Sequence, residues 1–243
     1  MIPRFHCPLP LAAGATIELP EGAAHHALRV LRLKVGDAVA LFNGEGGEFA
    51  ATLERADARN AVARIAAWHD VERESPLAVT VVQGLASGER MDFALQKAVE
   101  LGAVAVQPVM TTRSVTRLDA ARAGKRLEHW RQVAIAACEQ CGRNRIPEVL
   151  PLCDLDDWLR EPTPASLRLL FVPDAAQAIG EVARPDGAIE LLVGAEGGLT
   201  DTETAAALRA QFLAVRMGPR VLRTETAALA ALSALNALWG DWR

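Results

Sequence analysis

Leu191-Leu192-Val193-Gly194-Ala195-Glu196-Gly197-Gly198-Leu199-Thr200 is an apolar run that breaks into a glycine-bearing loop and ends on a helix-capping residue. It reads as strand, loop and helix start, with Thr200 as N-cap and Glu203 three residues on completing a capping box. Glycines there let a ligand come close to the main chain. Met217-Gly218-Pro219-Arg220-Val221-Leu222-Arg223-Thr224-Glu225-Thr226 has the same design before an Ala/Leu-rich helix, which must be buried almost all round. Thr224 or Thr226 can cap that helix. Two such loops together could clamp one small molecule through main-chain contacts, although the first alone reads equally well as a tight turn. Glycines at 194, 197 and 198 lack the G-x-G-x-x-G spacing of a dinucleotide fingerprint, and no P-loop lysine follows.

Working outward, the chain divides near Glu72-Arg73-Glu74-Ser75-Pro76 into segments 1–72 and 73–243. Before the boundary, strand candidates 38–42 and 48–53 flank the turn Asn43-Gly44-Glu45-Gly46-Gly47, and 61–65 follows. Short strands of this kind suit a small β-barrel. After it, strand candidates 77–85, 104–109, 167–172, 188–193 and 212–217 alternate with helix candidates 90–101, 122–141, 201–209 and 224–239. The expected fold class is α/β, with a parallel sheet covered on both faces by helices.

Composition sets limits. The chain has 243 residues, is 51% hydrophobic and carries a net charge of −4. It contains no apolar run long enough for a membrane span and opens without a signal-peptide core. Four cysteines make no disulfide scaffold, so a reduced, cytoplasmic protein is expected. The charge is unevenly spread. Residues 113–145 hold eight basic side chains against three acidic, whereas 146–243 hold eight against fourteen. A basic segment on an acidic protein suits a polyanion, and equally a solvated helix face.

Other signals are weaker. Cys138-Glu139-Gln140-Cys141 has C-x-x-C spacing, but lacks the second pair or ordered histidines of a metal site, and none is expected. His25-His26 reads as a helix start, which would put Arg29 and Arg32 on one face, suited to phosphates or to solvent. Lys97 and Glu100 share a face and can form an ion pair.

At these residues the chain resembles the ribosomal RNA small subunit methyltransferase E family of the SPOUT superfamily. Residues 193–200 resemble its I-G-P-E-G-G-[FL]-[ST] segment, and 218–227 its G-x-R-[IV]-L-R-x-E-T-A segment. Lys97–Gly102 is similar to K-[AS]-x-E-L-G, Glu139–Arg143 to E-Q-[SC]-x-R, and Arg4-Phe5 and His26–Arg32 to the N-terminal motifs. Ala195 departs from the pattern, standing where the family usually has proline.

The resemblance implies a PUA-like RNA-binding barrel (1–72) and a SPOUT α/β domain (73–243) with a deep trefoil knot. It implies a homodimer, S-adenosyl-L-methionine as methyl donor, and methylation of uridine N3 in 16S rRNA, free or in the assembled small subunit. Carried over to this chain, the donor is wrapped by Leu192, Gly194, Glu196, Gly197, Gly198, Met217, Gly218, Leu222, Arg223 and Thr224. Arg4, Arg29, Arg32, Lys97, Arg131, Arg143 and Arg145 become RNA-side candidates.

Uracil N3 carries a proton and lies on the pairing edge, so the base must be unpaired or extruded. The protein must also take up that proton or stabilise the anion. Arg143 and Arg223 are candidates for the second task, and Glu139 or Glu196 for the first. Methylation of tRNA or of a ribose hydroxyl, and RNA binding without catalysis, are the rival readings.

Overall fold

The computed structural model describes residues 2–57 and 60–242, grouped into two units. The first comprises residues up to Glu74 together with Cys138–Ile146; the second comprises Ser75–Ala137 and the chain from Pro147 onward.

Strand alternation builds the first unit. Its elements are β1 (Arg4–His6), β2 (Thr16–Glu18), α1 (Glu21–His25), β3 (Ala38–Phe42), β4 (Glu48–Ala56) and β5 (Ala61–His69). The strands form one sheet in the order β1-β3-β4-β5-β2. Pairing is antiparallel except between β1 and β3. Every second residue of β4 and β5 points inward. Phe49, Ala51 and Leu53 thus meet Ala63 and Ile65, and Phe5, Val39 and Leu41 close the core.

One sequence expectation fails here. Helix α1 begins at Glu21, so His25 and His26 lie at its end rather than its start. The chain then widens into a π-helical turn, His26–Val30, and leaves the helix at Leu31. Arg32 has φ 55°, outside any helix, so Arg29 and Arg32 do not share a helical face. The amide of Leu33 reaches back to the Ala27 carbonyl, a wider closure than an α-turn allows.

The second unit contains β6 (Val79–Gly84), α2 (Gly88–Glu100), β7 (Ala105–Met110), α3 (Ala120–Cys141, whose last turn falls in the first unit), β8 (Glu148–Val149), β9 (Cys153–Asp154), α4 (Leu155–Trp158), β10 (Leu167–Phe171), β11 (Gln177–Ala178), β12 (Ile189–Val193), α5 (Asp201–Arg209), β13 (Leu213–Arg216) and α6 (Thr224–Leu238). All its strand pairings are parallel, in the order β11-β13-β10-β12-β6-β7-β8, with β9 also on β7. Strand β12 is buried along its whole length. Even its Glu190 is buried, held by Arg168 at the paired position of β10 at 2.7 Å.

Strands β6 and β12 are neighbours, yet the chain leaves β6 toward β7 on one side and leaves β12 toward β13 on the other. Ligands of α/β sheets bind beyond the carboxyl ends of the strands near such a reversal, and here the cavity lies one strand over, at β10, β12 and β13.

Candidate functional site

The crevice at the carboxyl ends of β10, β12 and β13 is a cavity of about 400 Å³. Its floor is main chain and apolar side chain, including Leu170, Val172, Val193, Leu199, Val215 and Ala227. Of the sequence candidates, Gly194, Glu196, Gly198, Met217, Gly218, Leu222 and Thr224 line it. Leu192 is buried in β12 beneath it, and Arg223 is the exposed N-cap of α6.

Why the loop after β12 is glycine-rich is now a matter of distances. A Cβ on Gly194 would lie 2.8 Å from the Gly198 carbonyl carbon and 2.9 Å from the Leu199 nitrogen. One on Gly197 would lie 2.8 Å from the Arg113 Cβ. Gly198 has φ 69° and Gly218 φ 74°, backbone that L-residues avoid. Gly84, at the end of β6, abuts the Ala195 and Gly194 backbone. The loop is therefore folded onto itself and onto the tip of β6, leaving no room for a side chain at Gly194 or Gly84.

Side chains from outside the loop hold it. The Ser87 amide and hydroxyl donate to Glu196 Oε1 at 2.8 and 2.7 Å, and Arg90 pairs with the same oxygen at 3.4 Å. Burial works to raise the Glu196 carboxyl, but the Ser87 hydrogen bonds and the Arg90 charge outweigh it and hold the group below the usual carboxylate range. Arg113 donates to the carbonyls of Gly197 and Leu199 at 3.0 and 3.1 Å. Thr200 and Glu203 form the capping box of α5, and the second Glu203 oxygen accepts the Thr112 amide at 2.7 Å.

The start of α6 differs from expectation. Neither Thr224 nor Thr226 caps it; Arg223 occupies the N-cap position without a side-chain bond. Thr224 is buried, and its hydroxyl turns to the Gly194 carbonyl instead, at 2.5 Å.

Glu139, Arg143, Arg4 and Arg145 belong to the first unit, where all four have partners. Arg143 is 3% exposed, with Nε and Nη2 on Glu74 at 2.8 and 2.5 Å. Arg4 pairs with Glu48, reaches Asn144 at 2.6 Å and stacks over Phe42. Arg145 lies 3.6 Å from Glu72. Glu139 accepts the His6 amide at 2.9 Å and faces His26 at 3.9 Å. Burial raises its carboxyl pKa, partly offset by the His6 amide and by His26 and Arg4. Arg29 and Arg32 are exposed in the same unit.

In the second unit Arg131 is exposed on α3, and Lys97 pairs with Glu100 at 2.7 Å. The C-x-x-C cysteines are free thiols, and burial pushes Cys138 up to about 12 despite the nearby Arg143 charge. Among the described residues no cluster of three or more His, Cys, Asp or Glu could hold a metal, and no helix is long and apolar enough to cross a membrane.

Sequence reasoning missed Gln83, Ser87, Arg90 and Arg113, which brace the loop from elements distant in sequence. It also missed the Leu170–Pro173 wall, whose signal was a strand running into a proline at the carboxyl edge of a parallel sheet.

Two family models match the chain: an RNA methyltransferase domain over residues 73–236 and an RNA methyltransferase PUA domain over 19–66. The ribosomal RNA small subunit methyltransferase E of Mycobacterium bovis is 37% identical over 235 residues, covering 95% of this chain and 88% of that protein. The protein of the same name from Buchnera aphidicola is 30% identical, covering 99% and 98%. Among solved structures, the Neisseria gonorrhoeae methyltransferase E bound to S-adenosyl methionine is 42% identical, with a TM-score of 0.93 over 100% of both chains. A Legionella pneumophila methyltransferase, also bound to S-adenosyl methionine, is 38% identical, with a TM-score of 0.96 over 99% of both.

Proposed function

This chain belongs to the ribosomal RNA small subunit methyltransferase E family, and from that premise we propose that it transfers a methyl group from S-adenosyl-L-methionine to N3 of a uridine in small-subunit rRNA. One observation carries the cofactor half of this reading. The cavity at the carboxyl ends of β10, β12 and β13 is lined by main chain at Gly194, where a Cβ would meet the Gly198 backbone, and at Gly198 and Gly218, whose positive φ suits glycine, in a chain 42% identical to a relative solved with that cofactor.

The cavity's chemistry suits the group. Apolar walls from Leu170, Val172 and Leu222 can take a purine, and the main chain of 194–198 and 217–222 offers polar atoms at the rim. Ser87 and Arg90 hold Glu196 Oε1, whereas Oε2 is buried without a hydrogen-bond partner among the described residues. Bound S-adenosyl-L-methionine supplies an activated methyl on a sulfonium; the protein's part is positioning and charge. Arg223, exposed at the helix N-cap beside that cavity, is our candidate for stabilising the uracil anion. Arg143 and Glu139 we assign to holding the fold of their own unit, because their polar atoms are committed there.

For the RNA we propose the exposed Arg29 and Arg32 of the first unit with its Arg145, and the exposed Arg131 of the second unit with its Lys97; the ion pairs of Arg145 and Lys97 can open. The family resemblance further supports a PUA-like barrel at 1–72, a knotted SPOUT domain at 73–243, a homodimer and a place of action among cytoplasmic ribosomal subunits. Purified protein, labelled cofactor, and unmodified small subunits or naked 16S rRNA side by side test the reading. The expected product is 3-methyluridine at one position, mapped by mass spectrometry. Label in tRNA or on a ribose hydroxyl, or none at all, overturns it.

A further inference from the structure

Gln83 is the penultimate residue of β6 and is 1% exposed. Its Nε2 donates to the Gly84 carbonyl at 3.1 Å and to Thr224 Oγ1 at 2.7 Å. Thr224, 6% exposed, donates in turn to the Gly194 carbonyl at 2.5 Å. The direction of this chain of bonds is set at its Gly194 end, because a carbonyl only accepts. The amide nitrogen of Gln83 faces both the Gly84 carbonyl and Thr224, and Gln83 Oε1 is buried without a hydrogen-bond partner among the described residues. The Gly194 carbonyl takes the single proton of the Thr224 hydroxyl. That hydroxyl then has no proton left and one lone pair already engaged by Gln83.

Thr224 and Gly194 both line the cavity. A ligand group that reaches the Thr224 hydroxyl therefore meets an acceptor and not a donor. We propose that Gln83 is a positioning and specificity-determining residue of the cofactor site: its bond to Thr224 fixes that hydroxyl as an acceptor, so the site favours nucleoside ligands that present an N–H or O–H there, and pins the Gly194 carbonyl at the start of the loop. This rests on the reading of the cavity as the S-adenosyl-L-methionine site. Gln83 acts through Thr224 and touches no substrate itself.

Gln83→Met keeps the volume and removes the donor; Thr224→Val removes the hydroxyl, and Thr224→Ser retains it. Calorimetry with S-adenosyl-L-methionine is expected to show about a tenfold weaker Kd for Gln83→Met and for Thr224→Val, the scale of one lost hydrogen bond. The double variant should be no weaker than either single variant, since both break one relay. Thr224→Ser should recover near-normal affinity. In the cofactor-free protein, the Gln83 side-chain amide resonance should shift in Thr224→Val and return in Thr224→Ser. A wild type that fails to bind the cofactor sinks the site reading, while the amide resonance still decides whether the relay exists. Wild-type binding with Gln83→Met within twofold of it, additive losses in the double variant, or an unmoved amide resonance overturns the proposal.

Discussion

Two regions of the molecule, one around Arg143 and one around the Gly194 carbonyl, handle polar groups in different ways. Around Arg143 the first unit packs charge against charge: Arg4 on Glu48, Arg73 on Glu48, Arg143 on Glu74. At the Gly194 carbonyl itself the second unit uses neutral side chains, with Thr224 on the carbonyl and Gln83 on Thr224, while Arg90 and Arg113 brace the loop further along. A buried ion pair is costly to break, because the remaining charge is stranded. A main-chain cradle is costly to fill, because backbone cannot move aside as a side-chain tip can. The same protein thus has one region sensitive to losing atoms and another sensitive to gaining them.

The largest effect should come from adding one carbon to the cradle. Gly194→Ala puts a Cβ 2.8 Å from Gly198, and we expect S-adenosyl-L-methionine affinity to fall about a hundredfold by calorimetry. An unchanged Kd would mean that the loop is not rigid. The converse experiment removes atoms from the charged cluster. Arg143→Met should cost about 2–3 kcal/mol in urea unfolding, below the full value for a stranded buried charge because Glu74 keeps some contact with solvent. Cofactor affinity should stay within about twofold. A loss of activity without a loss of stability would return Arg143 to the chemistry.

The two carboxylates give the regions opposite pH signatures. Glu196 is held below its ordinary value of 4.5, so its stabilisation is present above that value and lost as the pH falls through the depressed pKa. Glu139 is raised by burial from the same ordinary value, so its contribution is full below 4.5 and lost as the pH rises through the raised pKa. Relative to wild type, Glu196→Gln should flatten the acid limb of a stability–pH curve, and Glu139→Gln should flatten the decline above it. Parallel curves for either variant would refute the assignment. The smallest effect is expected at Ala195. Ala195→Pro stiffens the loop before binding and should tighten cofactor affinity about two- to fivefold, measurable by calorimetry. Weaker binding would show that the Gly84 contact leaves no room for the ring.

Much of this was legible in the sequence because local patterns carried it. Capping at Thr200 and the run of β12 each depend on residues close together in the chain. Failures came where a local rule met a distant partner. Thr224 looked like a helix cap, but it found the Gly194 carbonyl thirty residues away. Arg29 and Arg32 looked like one helical face until the π-turn and the positive φ at Arg32 separated them. Arg143 looked like a free cation until Glu74 met it from far upstream.

By itself the sequence determined the α/β character of the chain beyond the Glu72–Pro76 stretch, the two glycine loops and the family to which the chain belongs. Hydrophobic period, cap residues and glycine spacing act over a few residues and need no partner to be read. Only the tertiary structure decided why the glycines are required, which arginines are committed, and that Gln83 governs what Thr224 can offer a ligand. These properties arise from atoms brought within hydrogen-bonding or van der Waals distance by strand order, and strand order depends on long-range pairing that no local pattern records.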